Sequence, residues 1–81
     1  MKVIVIDVCK KELRQFPEEV LEDFVDAVAS LKKGLKLSMP LSRPMPSVGK
    51  QVSELRFKGK DGIHRVFYFI KKKEAIYMVH A

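Results

Sequence analysis

The residues best suited to chemistry are two arginines, Arg56 and Arg65, on either side of a predicted turn. A turn centred on Lys60 and Asp61 places them opposite each other on one face of a β-hairpin, because side chains alternate between faces along a strand. Like charges directly opposite each other destabilise a sheet, so such a pair fits a surface that binds an anion. A nucleic-acid phosphate is a natural ligand, because arginine presents a planar fork of donors and stays charged at any workable pH.

Further basic and titratable groups lie close to this pair in the sequence. Lys58 and Lys60 extend the positive charge toward the tip of the hairpin, and His64 and His80 are able to move protons near neutral pH. Two arginines also suit the charge that develops on a phosphate under attack. Two other interpretations remain open: Glu54 or a helix carboxylate neutralises one arginine, and the histidines are only solvated.

The first half of the chain predicts a strand and one long helix, with room for a short helix between them. β-branched residues dominate positions 3–8 and indicate a short buried strand. Apolar residues at three- and four-residue spacing from Val20 to Leu31 predict an amphipathic helix that begins after Pro17 and ends at Gly34. The acidic residues of its N-terminal half suit the helix dipole, which we prefer to a metal site as their explanation.

The second half predicts a loop and three strands. Three prolines in positions 38–47 exclude a helix or a central strand there, so we expect a loop that crosses the molecule. Three apolar segments follow, separated by turns at 58–62 and 71–74, and indicate a three-stranded antiparallel meander. The middle segment, Val66–Ile70, is apolar at every position and should be the most buried strand. A helix on one face of such a sheet gives an α+β fold.

Length and composition exclude several classes of protein. The 81 residues suit one small domain covering positions 1–81, and the single cysteine excludes an internal disulfide. One thiol and two histidines do not make the usual four-ligand zinc site, so we expect no metal. The first apolar run is broken by Asp7, too early for a membrane span or a signal peptide, so the expected location is the cytoplasm. No Walker loop, dinucleotide glycine pattern or nucleophile elbow is present, and no cofactor is predicted.

The charge is divided unevenly along the chain. Residues 1–31 carry four basic and seven acidic residues, a balance of −3, whereas residues 32–81 carry twelve basic and three acidic residues, a balance of +9. The basic part would attract a polyanion and speed its arrival. A soluble, lysine-rich surface is the alternative explanation.

Three segments together resemble the core of the RelE/ParE toxin superfamily, and most of all its HigB-like, phage-derived branch. They are residues 54–56 (ELR), 60–68 (KDGIHRVFY) and 76–81 (IYMVHA). The start of the predicted helix at 16–20 (FPEEV) and its end at 31–34 (LKKG) are similar to that branch as well. The resemblance covers nearly the whole chain.

The resemblance implies the toxin of a bacterial type II toxin–antitoxin system. Such toxins are usually endoribonucleases that cut messenger RNA on the ribosome and are silenced by a cognate antitoxin, here expected to be of the helix-turn-helix type. Members similar to this chain need no metal: the ribose 2′-hydroxyl attacks the scissile phosphate while basic side chains hold and neutralise it. By position, the resemblance gives Arg65 a contact with that phosphate, Arg56 an assisting or ordering role, and His80 a role in proton transfer.

The same resemblance makes Lys58, Lys60 and His64 the expected RNA-binding residues of the hairpin. Related toxins usually continue past the last strand with a basic segment and a C-terminal helix, so a chain that stops at Ala81 is expected to be C-terminally short. An incomplete sheet edge would favour homo-oligomers through strand pairing. The competing hypotheses are a non-catalytic binding module, either a ParE-like gyrase inhibitor or a truncated toxin that only binds its antitoxin, and a general RNA-binding domain.

Overall fold

A computed structural model describes residues 2–37, 41–71 and 74–81 as one sheet with two helices. The elements follow in the order β1 (Lys2–Val5), α1 (Asp7–Leu13), α2 (Glu18–Lys32), β2 (Ser42–Pro44), β3 (Ser53–Gly59), β4 (Gly62–Lys71) and β5 (Ala75–His80). The strand order across the sheet is β1-β5-β4-β3-β2, and every pair is antiparallel except β1–β5. The α+β prediction is confirmed.

Both helices pack on the same face of the sheet. Helix α1 contributes Cys9 and Leu13 to the core, and α2 contributes its stripe of Val20, Ala27 and Leu31. Alternate residues of the three inner strands complete the core: Leu55, Phe57, Val66, Tyr68, Ile76 and Met78. Within the described residues the opposite face carries no helix, and we call it the open face.

Helix α2 has the boundaries that the sequence predicts. Pro17 precedes its first residue, where the missing proline N–H leaves nothing unsatisfied. At the other end Gly34 has φ +82°, a left-handed conformation that favours glycine. The Gly34 and Leu35 N–H groups donate to carbonyls of the last turn at 2.9 and 3.1 Å, which closes a Schellman motif. No helix among the described residues is long and apolar enough to cross a membrane.

Strand β1 is shorter and more exposed than predicted. It ends at Val5 and lies at the sheet edge, so only one neighbouring strand covers it. Ile4 is 38% exposed, and Val8 belongs to α1 and is 58% exposed. The prediction of a buried strand through Val8 is therefore wrong. An acidic residue, Asp7, starts a helix instead, where the helix dipole favours a negative charge.

The proline-containing segment forms a short strand where the sequence predicts a loop. Residues 42–44 pair with β3 as the antiparallel edge strand β2, and the loop prediction is wrong for these three residues. Pro44 is tolerated because an edge strand has no second neighbour that needs its N–H. The Ser42 hydroxyl, which is buried, lies 2.7 Å from the Tyr68 hydroxyl and ties β2 to the core. Residues 38–40 of the predicted loop lie outside the described residues.

The hairpin of β3 and β4 has the predicted register. Gly59 pairs with Gly62 around a turn of two residues, and Arg56 pairs with Arg65. Strand β4 is central, as predicted, but its Phe67 and Phe69 are only partly buried because no helix covers the open face. The expected burial of β4 on both faces is therefore wrong. Of the predicted second turn, residues 72–73 lie outside the described residues.

Candidate functional site

The open face of the hairpin gathers the charged residues of β3 and β4. Side chains alternate along a strand, so Leu55 and Phe57 enter the core while Glu54, Arg56 and Lys58 point to the other face. The antiparallel register then places Arg65 of β4 directly opposite Arg56. The predicted juxtaposition of two arginines is thus present.

A third arginine that the sequence analysis missed joins this pair. Arg43 of β2 is paired with Glu54, which brings it to the same face. The sequence does not predict this position, because Arg43 lies in the proline-containing segment that was interpreted as a loop. No local signal places it there, because its position depends on the pairing of β2 with β3, which are distant in the sequence. We call Arg43, Arg56 and Arg65 the arginine cluster.

Glu54 is fully buried beneath the arginine cluster. Arg43 Nε donates to Glu54 Oε1 at 3.2 Å, and Arg56 Nε lies 3.4 Å from the same oxygen without hydrogen-bond geometry. Arg65 Nε lies 3.9 Å from Oε2, an oxygen that accepts no hydrogen bond from the described residues. Three guanidinium charges and one carboxylate charge leave two net positive charges at this point of the sheet. Neutralisation by Glu54 and anion binding therefore coexist.

The three arginines differ in how far they reach solvent. The Arg65 side chain is 50% exposed, that of Arg43 37%, and that of Arg56 30%. Because Arg65 is both the most exposed and the farthest from Glu54, it has the greatest freedom to bind an external anion. Arg56 Nε is buried, faces Glu54 and has no hydrogen-bond acceptor among the described residues, so this nitrogen is not open to an external ligand.

Lys58 and Lys60 continue the positive charge toward the turn. Lys58 is exposed on the open face, opposite Ile63, and Lys60 is exposed in the turn. Neither forms an ion pair with the residues that the structure describes. The basic surface therefore extends from the arginine cluster to the hairpin tip.

His80 is the last residue of β5. It pairs with Phe67 across the β4–β5 ladder, with ring centroids 6.2 Å apart. Arg65 is two residues before Phe67 on β4, and the β4–β5 register shifts between Phe67 and Tyr68. The imidazole is 61% exposed, and its Nδ1 lies 3.4 Å from Glu12 Oε2. The sheet therefore places His80 one strand away from Arg65, beside Glu12 of α1.

His64 lies on the other face of the hairpin. It is paired with the core residue Phe57, its ring packs 4.8 Å from that of Phe16, and its Nε2 lies 2.9 Å from Asp61 Oδ1. This hydrogen bond is the main reason that the pKa of Asp61 falls below its ordinary value. The structure therefore does not bring His64 to the arginines, although the sequence analysis grouped them.

Cys9 is the one thiol of the chain; it belongs to α1, and its side chain is buried in the core. Burial, with a smaller contribution from Glu12, raises the pKa of this thiol above its ordinary value of 9.0. A thiol in that state is protonated and poorly nucleophilic at neutral pH. Across residues 2–37, 41–71 and 74–81, no three His, Cys, Asp or Glu side chains group together as metal ligands.

Residues 11–81 match the model of the family described as "Phage derived protein Gp49-like (DUF891)". This segment includes α2, the arginine cluster, Glu54 and His80. Neither the curated proteins nor the solved structures contain a significant match to the chain.

Proposed function

The chain belongs to the Gp49-like family of phage-derived proteins, a RelE/HigB-like toxin family, and from this premise we propose that it is a ribosome-dependent messenger RNA endoribonuclease. It would be the toxin of a type II toxin–antitoxin system, acting in the cytoplasm and silenced by a cognate antitoxin of the helix-turn-helix type. Membership of this family is consistent with the toxin of a toxin–antitoxin system.

The observation that carries the proposal is the arginine cluster above one buried carboxylate. Two net positive charges stand on a sheet face that no described helix covers, with Arg56 and Arg65 opposite each other. Guanidinium groups hold phosphate oxygens by paired hydrogen bonds. Because Glu54 holds the cluster from below, the donors need little reorganisation when a phosphate arrives.

The proposed reaction is an attack within the RNA itself. The 2′-oxygen next to the scissile bond attacks phosphorus and forms a 2′,3′-cyclic phosphate, while the bond from phosphorus to the 5′-oxygen of the next nucleotide breaks. The 2′-hydroxyl proton leaves to a base of the chain, and the departing 5′-oxygen takes up a proton from water. Arg65, with Arg56 beside it, stabilises the extra negative charge on the phosphate oxygens during the attack.

His80 is the group we propose for proton transfer. Its imidazole is exposed and lies on the strand next to Arg65, and its Nδ1 lies 3.2 Å from the Ala81 carbonyl oxygen and 3.4 Å from Glu12 Oε2. An imidazole is suited to this role because it exchanges protons near neutral pH. Lys58 and Lys60 are proposed to hold the RNA backbone along the hairpin. His64 lies on the opposite face of the hairpin, so its predicted RNA contact is not part of this surface.

Expression of the chain in bacteria tests the proposal. The unmodified protein should arrest growth and cleave transcripts on ribosomes, with the cut sites mapped by primer extension. Arg65→Ala should restore growth and lower cleavage by about 10²–10³-fold, the usual cost of removing a group that stabilises transition-state charge. Arg14→Ala is the matched control, because it removes an exposed arginine at the end of α1, away from the arginine cluster.

Two results would argue against a ribonuclease. Growth arrest with intact transcripts and altered DNA supercoiling would indicate a ParE-like gyrase inhibitor. Normal growth, with binding to an antitoxin alone, would indicate a non-catalytic binding module. A His80→Gln variant that keeps the rate and pH profile of the unmodified enzyme would remove His80 from the proton-transfer role without affecting Arg65.

A further inference from the structure

Strand β1 leaves one side of its backbone without a partner. The Lys2 and Ile6 N–H groups both donate to carbonyls on the β5 side, each at 3.1 Å. Alternate residues of a strand direct their backbone groups to the same side, so the N–H and C=O groups of Val3 and Val5 point away from β5. No strand of the described residues lies on that outer side. The edge therefore offers two donors and two acceptors to another strand.

The two edges of the sheet differ in their protection against pairing. At the other edge, β2 has three residues and contains a proline and an arginine, two features that discourage strand addition. Strand β1 carries one exposed lysine, Lys2, at its first residue, but neither a proline nor a charge at Val3, Ile4 and Val5. Three of the large exposed apolar side chains, Ile4, Ile6 and Val8, lie in or directly after it, 38%, 43% and 58% exposed. Helix α1 packs against β5, the next strand inward.

We propose that β1 pairs antiparallel with β1 of a second copy of this chain, around a two-fold axis that passes through Ile4. In this register Val3 of one copy is opposite Val5 of the other, and both pairs exchange N–H and C=O bonds. The outward-pointing N–H and C=O groups of Val3 and Val5 then all find hydrogen-bond partners in the second copy. The result is a continuous sheet across two copies.

Side chains in this register are self-complementary. Ile4 is opposite itself in a non-hydrogen-bonded pair, where the Cα atoms approach to about 4.5 Å and the side chains pack closely. Lys2 is opposite Ile6 of the second copy, where the aliphatic part of its exposed side chain can pack on the isoleucine. The two-fold axis repeats this contact on the other side. A second copy thus supplies apolar and backbone partners at once.

The expected dimer is weak, because paired short strands bury less surface than a standard stable interface. Sedimentation velocity over a concentration series should show a monomer that converts reversibly to a dimer. Ile4→Lys places like charges directly opposite each other at the axis and should abolish the dimer. Val25→Lys is the matched control, because Val25 is 61% exposed on α2, and it should dimerise as the unmodified chain does.

A cross-link tests the register itself. Two cysteines at position 4 would have a Cα separation of about 4.5 Å, inside the range that a disulfide spans. Ile4→Cys should therefore form a covalent dimer under mild oxidation, whereas Val25→Cys should remain largely monomeric; the native Cys9 is fully buried and should not compete. A monomer at every concentration, with cross-linking of Ile4→Cys no greater than that of Val25→Cys, would overturn the proposal. Mass and cross-linking are independent of ribonuclease activity, so this result stands apart from the function proposed above.

Discussion

The two faces of the β3–β4 hairpin differ in the side chains that cover their buried residues. On the face toward the helices, Leu55 and Val66 are fully buried among apolar side chains. On the open face Glu54 is equally buried, but what covers it is a set of arginines that remain 30–50% exposed. Apolar burial stabilises the fold directly, whereas a buried ion pair gains little net stability after the cost of desolvation. The open face is therefore better explained by binding than by stability.

The largest expected effect separates the two faces at neighbouring residues. Leu55→Ala should lower the free energy of unfolding by about 2–5 kcal/mol, because it leaves a cavity in a packed core. Arg56→Ala should lower it by less while impairing cleavage, since Glu54 keeps its hydrogen bond from Arg43 and has Arg65 nearby. Urea unfolding of both variants provides the comparison. A loss from Arg56→Ala as large as that from Leu55→Ala would make this arginine a structural residue.

The sequence predicts the local features of the fold better than the pairing of distant segments. The hairpin register, α2 and its ends are local patterns, fixed by the turn residues, Pro17 and Gly34, and they are confirmed. Strand β2 and Arg43 were missed because their placement depends on a pairing between distant segments, which proline content obscures. The face occupied by His64 follows from the register alone, once His64 is seen opposite the core residue Phe57.

A second prediction concerns the carboxylate beneath the arginine cluster. Glu54→Gln should lower the free energy of unfolding by about 1–3 kcal/mol, because the amide can still accept from Arg43 but no longer offsets the repulsion among three guanidinium groups. The loss should shrink in high salt, which screens like charges that reach solvent. Urea unfolding at low and high salt measures both effects. An increase in stability would show that burying the carboxylate costs more than its arginines return.

A third prediction tests the bond that ties the edge strand β2 to the core. Tyr68→Phe removes the hydroxyl 2.7 Å from the buried Ser42 hydroxyl and should cost about 1–2 kcal/mol, because Ser42 is left without this partner. Tyr77→Phe is the matched control, since Tyr77 stacks on Phe69 on the open face with ring centroids 4.8 Å apart. Equal losses from the two variants would mean that the Ser42 contact contributes nothing specific.

The smallest effect is expected at the turn, where the hairpin reaches solvent. The hydrogen bond from His64 holds the pKa of Asp61 below its ordinary value of 3.8, so the folded state favours the ionised carboxylate. Its contribution to stability is then present above pH 3.8 and disappears as the pH falls through the lower, folded-state pKa. The urea midpoint of Asp61→Asn should lie slightly below that of the unmodified protein at neutral pH, and the two should converge in acid. A constant gap at every pH would show that the effect comes from the turn conformation and not from the charge.

Because His64 and Asp61 lie away from the arginine cluster, cleavage by Asp61→Asn should match that of the unmodified protein. A large loss of cleavage would mean that the two faces of the hairpin are coupled.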